Sequence, residues 1–350
     1  MKIKIITRVA ASILCTLPLL ATAQSNVTLY GEIDTGIQFL THAGANGGNQ
    51  WSMASAGYQP SLFGLTGTED LGGGYRALFR LEQGINSNDG SALIPGDMFA
   101  RAAYVGIAND NLGTLTAGRQ FSVLFDNTII YDPTFFSNYS LFSDYFIPLS
   151  NVWVNNSVKY RSPILGGFTA EALYGFGDQI AGDSRSGRVM EVSLKYTQGG
   201  FAGSATWAQT NGSHEPGAAA SASGELDTRA ALAARYAFDR LTIYAGYENI
   251  SGSLQLTPRG NTYFVGLGYD VSPFLKLTGQ VYRYDQGGSS ASTMGYVASA
   301  GYLLSKRTTL YANVGYVNNR NGANFGLNPY TTTANGQSQF GTTVGILHRF

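Results

Sequence analysis

Apolar and polar side chains alternate residue by residue along most of this chain, and a period of two is the signature of the β-strand. Between 27 and 39, Val27, Leu29, Ile33, Ile37 and Phe39 share one parity, while Thr28, Tyr30, Glu32, Asp34 and Gln38 share the other. The pattern returns at 75–85, where Tyr75, Ala77, Phe79, Leu81 and Ile85 oppose Arg76, Arg80 and Glu82. At 187–196, Met190, Val192, Leu194 and Tyr196 oppose Glu191, Ser193 and Lys195. At 227–238, Ala230, Leu232, Ala234, Tyr236 and Phe238 oppose Arg229 and Arg235; at 337–350, Phe340, Val344, Ile346 and Phe350 oppose Gln339, Thr343 and Arg349. Each such strand has one apolar face and one wet face. At 99–108 and 113–120 parity alone does not assign the faces.

The connections alternate as well. Short turns fall at 70–74, 109–113, 162–167, 198–200, 239–240, 271–273 and 305–307. Longer polar loops fall at 41–59, 86–97, 121–153, 177–186, 211–226, 251–260, 286–291 and 318–336. Seven turns and eight loops make fifteen connections and therefore sixteen strands. An even number of strands of about ten residues, with short turns at one end and long loops at the other, predicts an all-β fold: a transmembrane antiparallel β-barrel. Closing the sheet removes the unpaired edge that hydrocarbon does not tolerate. Aromatic residues near strand ends, among them Tyr30, Tyr75, Phe168, Tyr196, Phe201, Tyr236, Tyr302 and Phe350, fit the girdles of such a barrel. A soluble β-sandwich would gather its apolar parity in fewer, shorter strands, and no fixed repeat points to a solenoid or propeller. With 45 glycines and only 13% charged residues, the chain is also poorly suited to a helix bundle.

The first 23 residues read as a cleaved signal peptide. Lys2, Lys4 and Arg8 precede an apolar run at 9–20, and Ala21-Thr22-Ala23 closes it with small residues. The run is too short to cross a bilayer as a helix. The single cysteine, Cys15, lies inside it, so residues 24–350, expected as a single pore domain, hold no disulfide. Removing the three bases leaves 19 of the 22 Lys and Arg against 22 Asp and Glu, a net charge of −3. Nothing in that balance favours nucleic acid.

Several segments carry a family resemblance. VTLYGEIDTGIQF at 27–39, GTEDLGGGYRALFRLEQG at 67–84, GTLTAGRQ at 113–120, NSVKYRSP at 156–163 and the terminal Phe350 resemble the general diffusion porins of Gram-negative outer membranes, in their β-proteobacterial branch. The resemblance runs from one end of residues 24–350 to the other. It implies a homotrimer with one pore per subunit and a loop at 121–153 that folds into the barrel as a constriction. It also implies recognition of Phe350 by the outer-membrane assembly machinery.

Sixteen strands leave room for an aqueous channel, whose selectivity comes from side chains at its narrowest point. Parity turns Arg76, Arg80, Lys159 and Arg161 to the wet face; the resemblance adds Arg101 and Arg119 to this basic wall. It places acidic loop residues opposite, here Asp126, Asp132 and Asp144. Glu32, Asp34 and Glu82 also take the wet parity, so the sign of ion selectivity is not readable from the tally. A transverse field between loop and wall would favour hydrated and dipolar solutes over apolar ones. The same loop holds ten aromatics, from Phe121 to Trp153, expected to pack it against the wall; the alternative is an aromatic-lined eyelet for sugars or aromatic acids.

No catalytic, cofactor or metal site is expected. His42 and His214 lie in loops and His348 on the apolar parity, and no HExxH, GxSxG or phosphate-cradling glycine motif occurs. A lipid hydrolase built on His348, or a barrel with a blocked lumen, fits less well than a passive channel for small hydrophilic solutes and ions in the outer membrane.

Overall fold

The computed structural model describes residues 26–134, 136–140, 152–214, 222–254, 259–328 and 331–350. The proposed signal segment and Asp144 lie outside them. Seventeen strand segments follow in order: β1 (Asn26–Ala43), β2 (Gly48–Ala54), β3 (Leu62–Gly72), β4 (Tyr75–Gly84), β5 (Ala102–Asn109), β6 (Gly113–Phe121), β7 (Trp153–Arg161), β8 (Phe168–Gly175) and β9 (Val189–Gln198). The second half holds β10 (Phe201–Asn211), β11 (Leu226–Phe238), β12 (Leu241–Gly252), β13 (Gly260–Asp270), β14 (Leu275–Gln286), β15 (Ser292–Leu303), β16 (Thr308–Arg320) and β17 (Gln339–Arg349). One short helix, α1 (Val123–Thr128), and a 3-10 turn (Ile129–Tyr131) follow β6.

All neighbours pair antiparallel, and β17 returns to β1 in register from Glu32↔Arg349 to Leu40↔Gly341. Two further backbone bonds join Phe350 to Gly31. The sheet is therefore closed. The seventeen segments occupy sixteen positions, because β2 and β3 lie end to end along β1: Gly36–Ala43 pairs with Ala54–Gly48, and Asn26–Glu32 pairs with Thr68–Leu62. The closed, sixteen-position antiparallel barrel is the fold that the alternation predicts.

The apolar parity faces outward. Val27, Leu29, Leu232 and Val265 are each more than half exposed. A water-soluble protein would not present such a band on strand after strand, whereas hydrocarbon requires it. The opposite parity is polar and covered, as with Gln120, Arg229, Gln280, Asn313 and Thr343. Aromatic pairs mark the rims: Phe168–Tyr196 and Tyr236–Phe238 at the short-turn end, Phe39–Trp51 and Tyr247–Tyr263 at the other, with ring centroids 4.4–5.2 Å apart.

All seven short turns fall where the spacing places them. In the first, Gly72, Gly73 and Gly74 all take positive φ, which explains three successive glycines, and the Asp70 carboxylate accepts the Gly72 N–H at 2.9 Å. The expectation of a plain loop at 41–59 differs from what is observed. Trp51 and Met53 continue the outward apolar parity, so 48–54 stays in the wall as β2 and only 55–61 leaves it.

Candidate functional site

The longest connection, 122–152, begins at the top of β6 and turns inward. Ser122 caps α1 by accepting the Phe125 N–H at 3.0 Å. The Glu191 carboxylate, on the inner face of β9, accepts the Val123 and Leu124 N–H groups, and Glu171 of β8 accepts from Asn127 at 2.8 Å. A carboxylate suits the positive end of a helix and satisfies donors that have no intrahelical partner. The 3-10 turn then crosses β11 and β12, and Pro133 seats against the bare backbone of Gly266 in β13. Tyr139 reaches the far wall, lying over Gly315 and Gly341 beside Leu40 and Leu327. Phe121, Phe125, Tyr131 and Tyr139 are buried on the loop's underside, with Phe121 and Phe125 stacked at 4.9 Å. These rings pack the loop to the wall. Phe142, Tyr145 and Phe146 lie outside the described residues.

At the root of this loop the basic wall forms a stack. Tyr30, Arg80, Phe121, Arg101, Trp153 and Arg119 alternate ring and guanidinium, with charge-to-centroid distances of 5.6, 6.0, 5.2, 5.9 and 5.9 Å. Glu82, fully covered, serves two of the arginines: its Oε1 lies 2.7 Å from Arg101, while its Oε2 accepts from Arg80 and, at 2.6 Å, from the Tyr30 hydroxyl. Arg119 bonds the Ala100 carbonyl and the Asn155 side chain and has Asp97 at 3.7 Å. Its parity matches outward Leu115 and Ala117; a bulge between Gly118 and Gln120 releases it from that face.

The other expected residues separate. Lys159 pairs with Asp126 of α1 at 2.6 Å and also donates to the Phe121 carbonyl at 2.9 Å. Arg161 pairs with Glu171 at 3.2 Å. Arg76 sits at the short-turn end, 2.7 Å from Asp110, away from the stack; its cation holds the Asp110 carboxyl below its ordinary value. Glu32 pairs with Arg349 across the closing seam at 3.0 Å. Asp34 is buried and accepts the N–H groups of Gly57, Tyr58 and Gln59, each at 3.0 Å, and the Tyr311 hydroxyl at 2.7 Å. Asp132 is buried too, accepting from Thr134 N and Oγ1, Phe136 N and Ser140 Oγ at 2.6–2.8 Å. Burial pushes its carboxyl above the usual range, against the pull of those four bonds. Asp34 and Asp132 therefore hold backbone in place and present no open charge to a lumen.

Sequence reasoning assigns no role to several charges that matter here. Glu171 and Glu191 hold α1, and Arg229, Asp227 and Glu248 form a buried ionic cluster between β11 and β12. Glu191, Arg229 and Arg349 are visible as wet-parity residues, but parity does not name their partners.

A family model described as Gram-negative porin matches residues 10–322. The chain belongs to that family. Outer membrane porin protein 32 of Delftia acidovorans is 31% identical over 360 residues, covering 94% of this chain and 95% of the relative. An outer membrane porin protein of Bordetella pertussis is 28% identical over 98% of this chain and 99% of its own length. The solved anion-selective porin from Comamonas acidovorans superposes with a TM-score of 0.81 at 26% identity, covering 93% of this chain and all of that one. This porin is accordingly an outer-membrane protein, a water-filled and charge-lined channel for the passive diffusion of small hydrophilic solutes and ions. The relatives are channels rather than enzymes. Among the described residues no group of three or more His, Cys, Asp or Glu is arranged to hold a metal.

Proposed function

We propose that the loop at 121–153 is the pore's constriction and that the eyelet it leaves against Arg80, Arg101 and Arg119 favours anions. One observation carries the reading: among the described residues the three stacked arginines are ion-paired with Glu82 and, more distantly, Asp97, while the loop's Asp132 is turned into the loop itself. Asp126, the remaining described loop acid of the expected set, is neutralised by Lys159. The positive charge is thus in excess where the path narrows, and fixed charge in a narrow pore sets which ion enters. The anion-selective Comamonas porin is a relative with the same sign of preference. The buried undersides of the described loop aromatics weigh against an aromatic slide for sugars or aromatic acids.

The family resemblance supports three further expectations: export through residues 1–23, assembly as a homotrimer, and recognition of Phe350 by the outer-membrane assembly machinery. Phe350 remains half-exposed beside the closing seam. Planar-bilayer recording across a potassium chloride gradient tests the central reading. The zero-current potential should take the anion's sign, and conductance should appear in three equal steps. A cation-selective potential refutes the assignment of the eyelet's charge.

A further inference from the structure

Residues 55–61 leave the wall between β2 and β3 and turn to the inner face of the barrel, where inward side chains hold them. Asp34 of β1 binds three successive N–H groups there, at Gly57, Tyr58 and Gln59. Tyr311 of β16 donates to the same carboxylate and stacks on Tyr58, with rings 5.4 Å apart and 20° from parallel. Glycines make this possible: a Cβ at Gly36, Gly57 or Gly345 would come within 2.2–2.7 Å of the Tyr311 hydroxyl, so bare backbone at all three lets the ring lie flat.

The outer side of this turn meets the constriction loop. The Gly57 carbonyl accepts from Asn138 N at 3.2 Å and from Asn313 Nδ2 at 2.6 Å. Asn138 in turn accepts from Asn313 at 3.1 Å and donates to Thr343 Oγ1 at 3.0 Å; Thr343 donates to the Tyr139 hydroxyl at 2.8 Å. The far tip of the loop is therefore bonded to the inserted turn as well as to β16 and β17. β1, which carries Asp34, also carries Tyr30, the first ring of the arginine stack.

We propose that residues 55–61 form a second constriction element, with Asp34 as its positioning residue. The turn holds the tip of the 121–153 loop and completes the eyelet rim between that tip and the arginine wall. Half-buried Tyr58 and Gln59 are the side chains it brings toward the path. This rests on the pore reading above, and the test separates the two.

Asp34→Asn, Gly57→Ala and Tyr58→Ala are compared with the unaltered porin by single-channel recording and by liposome swelling with sugars of increasing size. Asparagine at 34 keeps one acceptor but sets an NH2 group against backbone donors, and alanine at 57 drives the turn off the Tyr311 ring. Tyr58→Ala removes a ring that the turn itself carries and leaves the three backbone bonds to Asp34 in place, so it decides the matter if the others fail to fold. Expected are a conductance increase of about 1.5-fold, noisier open levels and a higher size limit, with the sign of ion preference kept because the arginines are untouched. A folded Tyr58→Ala barrel with unaltered conductance, noise and size limit overturns the proposal. An unaltered porin that carries no current overturns the pore reading instead.

Discussion

Asp126→Asn changes the eyelet's charge with little change of shape, and its effect follows from simple electrostatics. The Asp126 carboxylate lies 2.6 Å from the Lys159 ammonium, which keeps a second anchor on the Phe121 carbonyl at 2.9 Å. The variant therefore adds one uncompensated positive charge at the loop. An ion passing about 5 Å from that ammonium in water feels about 0.8 kcal/mol. At 0.1 M salt, with a screening length of about 10 Å, about 0.5 kcal/mol remains, favouring the anion and opposing the cation. The two effects together raise the anion-to-cation permeability ratio about fivefold. In 1 M salt the screening length is about 3 Å and the change falls below about twofold. Zero-current potentials in bilayers at both salt concentrations measure this. A ratio unmoved at 0.1 M, or moved equally at 1 M, refutes the placement of Lys159 and Asp126 beside the ion path.

Three other perturbations test how the loop and wall are held. Glu191→Ala strips the acceptor from two covered N–H groups at the start of α1, at a cost of about 1–3 kcal/mol; the loop should be cut by added protease under conditions where the unaltered porin resists. Arg229→Ala leaves the Asp227 and Glu248 carboxylates buried without their shared cation, which should destabilise the barrel by about 3–5 kcal/mol in denaturant titrations, and a loss under about 1 kcal/mol contradicts the cluster. The carboxyl of Asp132 is raised on folding, so the docked loop binds its proton more tightly than the free loop does. Its contribution is fully present below the ordinary value near 3.8 and is lost as pH rises through the raised one. Open-channel noise should accordingly grow as pH is raised from below 3.8 through the raised value, and Asp132→Asn should flatten that dependence.

The barrel is legible in the sequence because lipid outside and water inside impose one rule on every strand. Val27 and Leu232 obey it as directly as Arg80 and Lys159 do. The exceptions are local and physical. Trp51 and Met53 extend the outward band into a segment whose polar neighbours read as loop, and so conceal β2. The bulge at Gly118 overrides parity at Arg119, which only the family motif places. Asp34 and Asp132 read as free acids because sequence names a charge and not the backbone donors around it. In both, three or more hydrogen bonds close within a few residues of a turn.

Which charges are paired follows from the same geometry at one step finer. Residues i and i+2 of a strand share a face, and Arg80 with Glu82, Asp227 with Arg229 and Arg283 with Asp285 are paired in this way. Those pairs are readable from a single segment. Arg161 with Glu171, Glu32 with Arg349 and Asp270 with Lys276 are direct partners across the ladder, and they emerge only when the register of two strands is known. A third kind joins wall to loop, as Lys159 with Asp126 does, and depends on where an infolded segment seats. Selectivity is what remains after all three kinds of pairing. Among the described residues, the proposed excess at Arg80, Arg101 and Arg119 arises because Glu82 serves two cations at once, while Asp132 of the loop is turned toward its own backbone.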